Sequence, residues 1–329
     1  MNHLNRRNDM IAALQHRQPP TAVPIWEIEF HAWDAVSGKH MVLGQEFEAL
    51  TATGQENAMR ANAEIMIGVA TEMHWSALST PGGYWNQAPG QLAYYCLPDD
   101  ARYRQFAILR ELAPADLMLI AKGGGILGAN YSDEFCGWMF DEPETIDNIA
   151  KKSFSDGVEE AGRYRDLGAD AVFSPSDIAN NSGPFFNPEQ MERWIYPHLR
   201  RWVDAIRRMG MFSILHTDGD IMRYLDGLAS CGLDAIQAID PVAGMDIVAT
   251  KSKVAGRLCL CGNVDCGLLV TGEPEQVFNA TRKLLLACKP GGGFVLGASN
   301  AVQADVPVAN YRAVIDAWKH YGTYDGGVA

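Results

Sequence analysis

An α/β fold, closed as a (β/α)8 TIM barrel, is predicted by three observations on this 329-residue chain. Short apolar runs alternate with amphipathic stretches from about residue 24 onward, the pattern of parallel βαβ units. Several of those runs end on polar side chains, as barrel strands do at the face that carries catalytic groups. About eight such units are present, and closing the sheet on itself is the simplest arrangement for them. A single domain over residues 1–329 is expected, because a barrel takes roughly 250 residues as one unit and tolerates insertions.

The elements follow in order. Val23-Pro-Ile-Trp-Glu-Ile-Glu-Phe30 alternates apolar and polar residues, which predicts the first strand. A weaker strand signal lies near Gly68 to Thr71. Residues 31–110 are otherwise poor in strand signals and rich in Trp, Tyr and Gly, and they predict an N-terminal excursion over the barrel mouth. Leu117-Met-Leu-Ile-Ala121 reads as a buried strand entering the turn Lys122-Gly-Gly-Gly125. Ala169-Asp-Ala-Val-Phe173 ends at Ser174-Pro-Ser-Asp177, and Met211-Phe-Ser-Ile-Leu215 ends at His216. Asp234-Ala-Ile-Gln-Ala-Ile239 ends at Asp240-Pro241, and Arg257-Leu-Cys-Leu-Cys261 ends at Gly262-Asn263. The last strand, Gly293-Phe-Val-Leu296, ends at Gly297-Ala-Ser-Asn300. Among the helices, Asn187-Pro188-Glu189 combines an N-cap, proline at the first position and an acid in the first turn. Its apolar stripe runs from Met191 to Ile206, Gly210 ends it, and Pro197 is expected to kink or split it. Gly272-Glu-Pro-Glu-Gln-Val277 opens a second helix through Leu286.

Composition narrows the function. Hydrophobic residues make up 47% and charged residues 20%, enough for a large core. A net charge of −13 argues against nucleic-acid and anionic-membrane partners, which need clustered Lys and Arg. No run approaches the ~18 apolar residues of a membrane span. Met1 to Gln18 lacks the apolar core of a secretory signal. Seven cysteines, odd in number and scattered, read as reduced cytoplasmic thiols.

Polar residues gather after the strand candidates: Glu27 and Glu29, Asp177, His216 and Asp218, Gln237 and Asp240, Cys261 and Asn263, and Asn300. His216 and Asp218 are two apart, so in extended backbone their side chains share a face. Six strands ending this way point to one shared pocket. Plainer readings stand beside this one. Asp177 and Asp240 could cap the elements that follow, and Glu27 and Glu29 could share a solvated face. Cys259 and Cys261 could be small buried hydrophobes. Lys122-Gly-Gly-Gly125 lacks the Walker pattern and is favoured as a turn over an anion site. The dense aromatic residues, among them Trp26, Trp75, Tyr84 and Trp85, suit either a core or a stacking platform for an aromatic ligand.

Several segments carry a resemblance. They are Ser182-Gly-Pro-Phe185, Asn187-Pro-Glu189, Pro197 in the next helix, Leu215-His-Thr-Asp-Gly219 and Cys261-Gly-Asn-Val-Asp265. Gly272-Glu-Pro-Glu-Gln-Val277, Gly291-Gly-Gly-Phe-Val-Leu-Gly297 and Val306-Pro-Val-Ala-Asn310 complete the set. In this order the chain resembles the uroporphyrinogen decarboxylase superfamily over nearly its full length. The resemblance implies a (β/α)8 barrel with its active site at the carboxyl-end mouth. Uroporphyrinogen decarboxylases carry an arginine-rich grip for substrate carboxylates after the first strand. Here that stretch is Trp26-Glu-Ile-Glu-Phe-His-Ala-Trp33, with two acids in place of arginines. A substrate bearing many carboxylates would be repelled by several kcal/mol, in order of magnitude, in a desolvated site. Methylcobamide:coenzyme M methyltransferases of the superfamily use a zinc site of one His and two Cys. This chain keeps His216 but has Asp218 and Asn300 at the Cys positions, so a zinc site here would be harder, built from His216 and Asp218 with Cys261 as the thiolate candidate.

Val23-Pro-Ile-Trp-Glu-Ile-Glu-Phe-His31, Pro81-Gly-Gly-Tyr-Trp85 and the aromatic load are most similar to the corrinoid-dependent aryl methyl ether O-demethylases of anaerobic one-carbon metabolism. That likeness implies a methyltransferase moving a methyl group from a small donor to the cob(I)alamin of a corrinoid protein. His216 would supply positive charge or a proton at the ether oxygen, and Asp218 would orient it. Asp177 and Glu29 are the further catalytic candidates. Glu27, Trp26, Trp75, Tyr84, Trp85, Gln237, Asn263 and Asn300 are the substrate-binding candidates. The implied partners are a small-molecule methyl donor and a corrinoid protein that brings the cobalamin, and superfamily members occur as monomers and homodimers. Another substrate for the same barrel, or a non-catalytic ligand-binding protein, are the alternatives.

Overall fold

The computed structural model describes residues 5–88 and 91–324, with the backbone alone for residues 82–88, 91–96 and 99. Helix α1 (Arg6–Leu14) is followed by α2 (Trp33–Ser37), α3 (Gly44–Glu48) and α4 (Ala52–Glu72). Strand β1 (Ala77–Ser79) leads into a hairpin, β2 (Gly82–Ala88) and β3 (Gln91–Cys96), and then α5 (Asp99–Leu112). Next come β4 (Met118–Lys122), α6 (Asp133–Asp141), α7 (Pro143–Asp166) and β5 (Ala171–Pro175). A two-residue pair, β6 (Ala179–Asn180) and β7 (Gly183–Pro184), precedes α8 (Pro188–Gln190) and α9 (Tyr196–Arg208). The remainder is β8 (Phe212–Thr217), α10 (Leu225–Ser230), β9 (Ala235–Ala238), α11 (Ile247–Val254), β10 (Cys259–Cys261), α12 (Cys266–Thr271), α13 (Pro274–Cys288), β11 (Phe294–Val295) and α14 (Val308–Tyr321).

Seven strands form one parallel sheet in the order β1-β4-β5-β8-β9-β10-β11. The sheet curls, TIM-barrel-like, until both its edges reach residues 24–26. On one side Ile25 pairs in parallel with Leu296; the Trp26 N–H donates to the Leu296 carbonyl at 3.0 Å and the Leu296 N–H to the Pro24 carbonyl at 2.9 Å. On the other side the Ser76 N–H donates to the Ile25 carbonyl at 2.8 Å. The strand expected over Val23–Phe30 is thus reduced to isolated bridges at Ile25 and Phe30. Pro24 has no N–H to give to a ladder.

Alternate strand residues serve two cores, as the pleat requires. Met118, Ile120, Ala171, Phe173, Ile214, Ala235, Cys259, Cys261 and Val295 face inward with Trp26 and Ile28. Met10, Ala13 and Leu14 of α1 join this inner cluster. Arg6 and Arg7 tie α1 to Asp116 and Asp170, just ahead of β4 and β5, so α1 plugs the amino end of the sheet. Leu117, Leu119, Ala121, Val172 and Leu215 face outward, against the helices.

Two expectations need correction. Residues 68–71 are not a strand; they lie in the last turns of α4. Nor is the 31–110 region one excursion. It supplies a strand of the sheet, β1, and two helices, α4 and α5, that pack on each other. The hairpin, which follows the carboxyl end of β1, is the part that departs from the βα plan together with α2 and α3.

Local signals decide the helix boundaries. Asn187 and Gln190 form a reciprocal capping box at α8. A π-helical turn, Met191–Ile195, separates α8 from α9, and Pro197 sits in the first turn of α9. Proline cannot donate, so the turn ahead of it widens, and the expected split is present. The glycine turn after β4 receives α7 closely: a Cβ on Gly157 would lie 2.5 Å from the Gly125 nitrogen. The Gly124 N–H donates to Glu160 Oε2 at 2.7 Å, and Arg102 Nη1 meets Glu160 Oε1 at 2.6 Å. The anion at this turn is therefore the chain's own carboxylate. The segments near the two ends are stapled together: Ala22 bridges Thr323 antiparallel, and Val23 and Tyr324 donate to the carbonyls of Gly322 and Thr21, each at 2.9 Å. Among the described residues, no helix is long and apolar enough to cross a membrane.

Candidate functional site

His216 lies one residue from the end of β8, in register with Pro175 of β5 and Gln237 of β9. All three strands are parallel, so the residues that follow each of them emerge on one face. Asp177 follows β5 and Asp218 follows β8. His216 Nε2 stands 3.9 Å from Asp177 Oδ1 and 3.9 Å from Asp218 Oδ1. The Asp218 N–H donates to Asp177 Oδ1 at 2.9 Å, which locks the two loops together. Asn300, beyond β11, donates from Nδ2 to Asp218 Oδ2 at 2.6 Å.

The hydrogen bonds fix the state of the imidazole. Gln237 Nε2 donates to the carbonyls of Ala298 (3.2 Å) and Ser299 (3.4 Å), which can only accept. Its Oε1 must then face His216 Nδ1, 2.5 Å away, and Nδ1 must carry a hydrogen. Nε2 is left to the two carboxylates. The backbone beyond Gln237 takes positive φ at Ala238 (+103°) and Ile239 (+50°), values that cost strain in non-glycine residues.

Asp177, His216 and Asp218 each offer one ligand atom, and the three atoms lie within 4.8 Å of one another. Asp218 Oδ1 is buried with no hydrogen-bond partner. A buried carboxylate oxygen without a donor costs free energy unless something positive reaches it. Burial pushes the Asp218 carboxyl up to about 6; the His216 imidazole opposes that rise and Asp177 and Asp240 add to it. These donors fit a divalent cation with nitrogen and oxygen ligands. Cys261, expected as a possible ligand, is not in this group. It faces the inner cluster beside Cys259, and burial, then that neighbour, push its thiol well above the ordinary range. Asp177 takes the third position instead.

The other sequence candidates divide. Gln237 and Asn300 reach the His216 group, but as supports of His216 and Asp218. Asn263 gives its Nδ2 hydrogen to the Ile239 carbonyl at 2.7 Å. Asp240 caps the short 3-10 turn Pro241–Ala243, the plainer of its two readings. Trp26 is in the inner core, with Nε1 donating to Ser79 Oγ at 3.0 Å and its ring edge-on to Phe173. Trp75 sits in a buried aromatic group with Phe30, Trp33 and Tyr311. Tyr84 and Trp85 fall in β2, where side chains lie outside the described residues.

Glu27 and Glu29 face cavities that His216 does not line. Both line a narrow cavity with Trp33, Trp75 and Thr80, and Glu29 also lines a second with Arg102 and Lys122. Neither cavity is lined by Asp177, His216 or Asp218. Glu29 Oε1 pairs with Lys122 Nζ at 2.8 Å, and His31 Nε2 is 3.6 Å from Oε2. Burial works against its charge, but His31 and Lys122 prevail and hold Glu29 below the usual carboxylate range. Glu27 is fully buried; that burial pushes it up to about 8 against donors from Ala298 and Tyr311. Lys122 and His31 were legible as partners of Glu29 only in part: His31 is two residues on, on the same face, whereas Lys122 arrives from another strand. Tyr311, in α14, carries no local signal at all.

Comparisons with known proteins agree with this architecture. Residues 112–321 match the family described as Uroporphyrinogen decarboxylase (URO-D), which is more than half of the chain. A uroporphyrinogen decarboxylase from Anaeromyxobacter dehalogenans is 28% identical over 134 residues, covering 41% of this chain and 37% of that protein. The methylcobamide:CoM methyltransferase MtbA of Methanosarcina mazei is 27% identical over 134 residues, covering 40% of this chain and 37% of that protein. The chain thus spans little more than a third of the length of these curated relatives. The solved structure of a methyltransferase from Methanosarcina mazei superposes with a TM-score of 0.70 at 16% identity, over 96% of this chain and 98% of that one, and shows the same fold.

Proposed function

The chain belongs to the uroporphyrinogen decarboxylase (URO-D) family, and on that premise we propose that it is a corrinoid-dependent methyltransferase acting on an aryl methyl ether. Its sheet is read as a complete (β/α)8 barrel, with residues 24–26 as the first stave and the hairpin β2–β3 at the mouth. The observation that carries the proposal is His216, its Nδ1 engaged by Gln237 and its Nε2 turned to two carboxylates. The methyltransferase relative supports the reaction class. The two acids near the first stave weigh against a substrate with many carboxylates, since Glu27 is buried and Glu29 already holds Lys122.

In the proposed reaction the methyl carbon leaves the ether oxygen for the cobalt(I) of a corrinoid, a second substrate carried by a partner protein. The C–O electron pair stays on the aryl oxygen, which takes the proton held at His216 Nε2. Phenolate is a poor leaving group at neutral pH, so that proton matters in the transition state and not before. Asp177 and Asp218 stabilise the imidazolium, and Gln237 keeps its other nitrogen from turning. A divalent cation, zinc included, would be held by Asp177, His216 and Asp218, and when bound would supply positive charge at the same oxygen. Glu29, Tyr84 and Trp85 are assigned to the substrate side of the mouth, and the reaction to the cytoplasm.

The test mixes metal-quantified protein with cob(I)alamin and a panel of methoxylated aromatics, and follows the cobalt spectrum. Conversion to methylcobalamin with a methoxylated donor supports the proposal. No conversion with any donor, repeated with a native corrinoid protein as acceptor, overturns it. Carbon dioxide release from uroporphyrinogen would replace it with decarboxylation.

A further inference from the structure

We propose that Glu27 and Tyr311 are positioning residues for His216, acting through the backbone of Ala298 and through Gln237. The inference rests on the reading of His216 as the working group of the site. Its basis is two sets of hydrogen bonds joined through the backbone of Ala298. The indole Nε1–H of Trp75 can only donate, and it donates to Tyr311 Oη at 2.8 Å. The other side of the Tyr311 hydroxyl meets Glu27 Oε1, 2.9 Å away. From the opposite side, His216 Nδ1–H donates to Gln237 Oε1, and Gln237 Nε2 to the Ala298 carbonyl at 3.2 Å. The N–H of that same residue, Ala298, donates to Glu27 Oε2 at 2.9 Å. Two lines of hydrogen bonds, one from Trp75 and one from His216, end on the two oxygens of one buried carboxyl.

Glu27 is 4% exposed, Gln237 2%, Tyr311 1% and Trp75 1%, so no water competes for these bonds. Chains of this kind strengthen one another in a dry interior, and a single wrong group propagates. The segment held by Glu27 is also the one that carries Asn300, the residue on Asp218 Oδ2. Gly297 is required beside it: a Cβ there would lie 2.2 Å from the Trp26 carbonyl oxygen. Glu27 therefore governs two outer contacts of the site at once, Gln237 on the imidazole and Asn300 on the carboxylate. Outer contacts of this type are commonly worth about 10- to 100-fold in metal affinity.

The geometry predicts how a near-isosteric change fails. In Glu27→Gln one oxygen becomes an amide nitrogen, which cannot accept and carries two hydrogens where the carboxyl, even protonated, carries one. It would oppose either the Ala298 N–H or the Tyr311 hydroxyl. Tyr311→Phe leaves Trp75 Nε1–H and Glu27 Oε1 without their partner while changing one atom.

Nitrogen-15 NMR of histidine-labelled, metal-free protein reads the imidazole directly, with circular dichroism to confirm folding. In its neutral form, wild-type His216 is expected as the Nδ1–H tautomer. In Glu27→Gln or Tyr311→Phe the resonances are expected to move toward a mixture of tautomers, with cobalt(II) affinity down about 10-fold or more. A wild-type protein in the Nε2–H form overturns the inference, as does a folded variant with an unchanged signature. If neither variant folds, Trp75→Phe, which removes the first donor together with part of its ring, takes their place under the same two outcomes. The readout needs neither methyl donor nor corrinoid, so failure of the methyl-transfer reading is seen separately, in the cobalt assay.

Discussion

With Nδ1 tied to Gln237, His216 meets the ligand side of the site through Nε2 alone. His216→Ala is expected to reduce methyl transfer at least ~100-fold, the lower range for a lost general acid, while the far-UV spectrum stays unchanged. Retained turnover in a folded variant would remove His216 from the mechanism. Glu27 yields a prediction of a different kind. Burial lifts its carboxyl from 4.5 to about 8, so between those pH values the folded protein keeps a proton that the unfolded chain has released. Its contribution to stability is full below 4.5 and is lost as pH rises through about 8. Urea unfolding from pH 5 to 9 should show a fall for wild type that is shallower in Glu27→Gln; parallel curves would contradict it. At this scale the sequence revealed which residues meet but not what they do. His216 and Asp218 share a face by strand period, and Asp177 ends a neighbouring strand. That Gln237 serves the imidazole instead of a substrate depends on two carbonyls some 60 residues away, which no local pattern encodes.

Helix α7 and the turn after β4 meet at glycine on both sides. Adding a methyl group in Gly157→Ala would place it 2.5 to 2.6 Å from the Gly124 and Gly125 backbone, contacts that must be relieved by moving main chain. Overpacking of this sort costs about 1–3 kcal/mol, read as a drop in the urea midpoint with unchanged slope. Strand positions after residue 110 were legible because each buried run stops where a polar or glycine residue starts. The capping box at Asn187 and the split before Pro197 were legible for the same local reason. Residues 23–30 misled because alternation signals a strand whether or not both neighbours can pair, and Pro24 cannot donate. Gly68 to Thr71 misled because a short apolar run fits helix and strand alike, and the 21-residue length of α4 decides it. Aromatic density pointed to a stacking surface, yet Trp26 and Trp75 spend their indole N–H groups on Ser79 and Tyr311 inside the core.

Closure of the sheet rests on few bonds. Residues 24–26 hold Leu296 on one side and Ser76 on the other, and opening them would separate both edges. The amides of Trp26, Ser76 and Leu296 are therefore expected to exchange with deuterium only through global unfolding. Exchange of these three ahead of the β5 and β8 amides would show that the ring opens first. The net charge of −13, to which Asp177 and Asp218 of the candidate site contribute, favours colloidal repulsion at neutral pH.

The staple between the two end segments has a mechanical consequence. Thr21 faces Tyr324 in an antiparallel pair, so the strands that lead away from it leave in the same direction. Tension applied there opens the pair like a zipper, one bond after another, at low force. The load then passes to residues 24–26, which run parallel to Leu296 and whose bonds to it are pulled together in shear. A stretched molecule should give a small early yield, then one larger rupture when the hoop breaks.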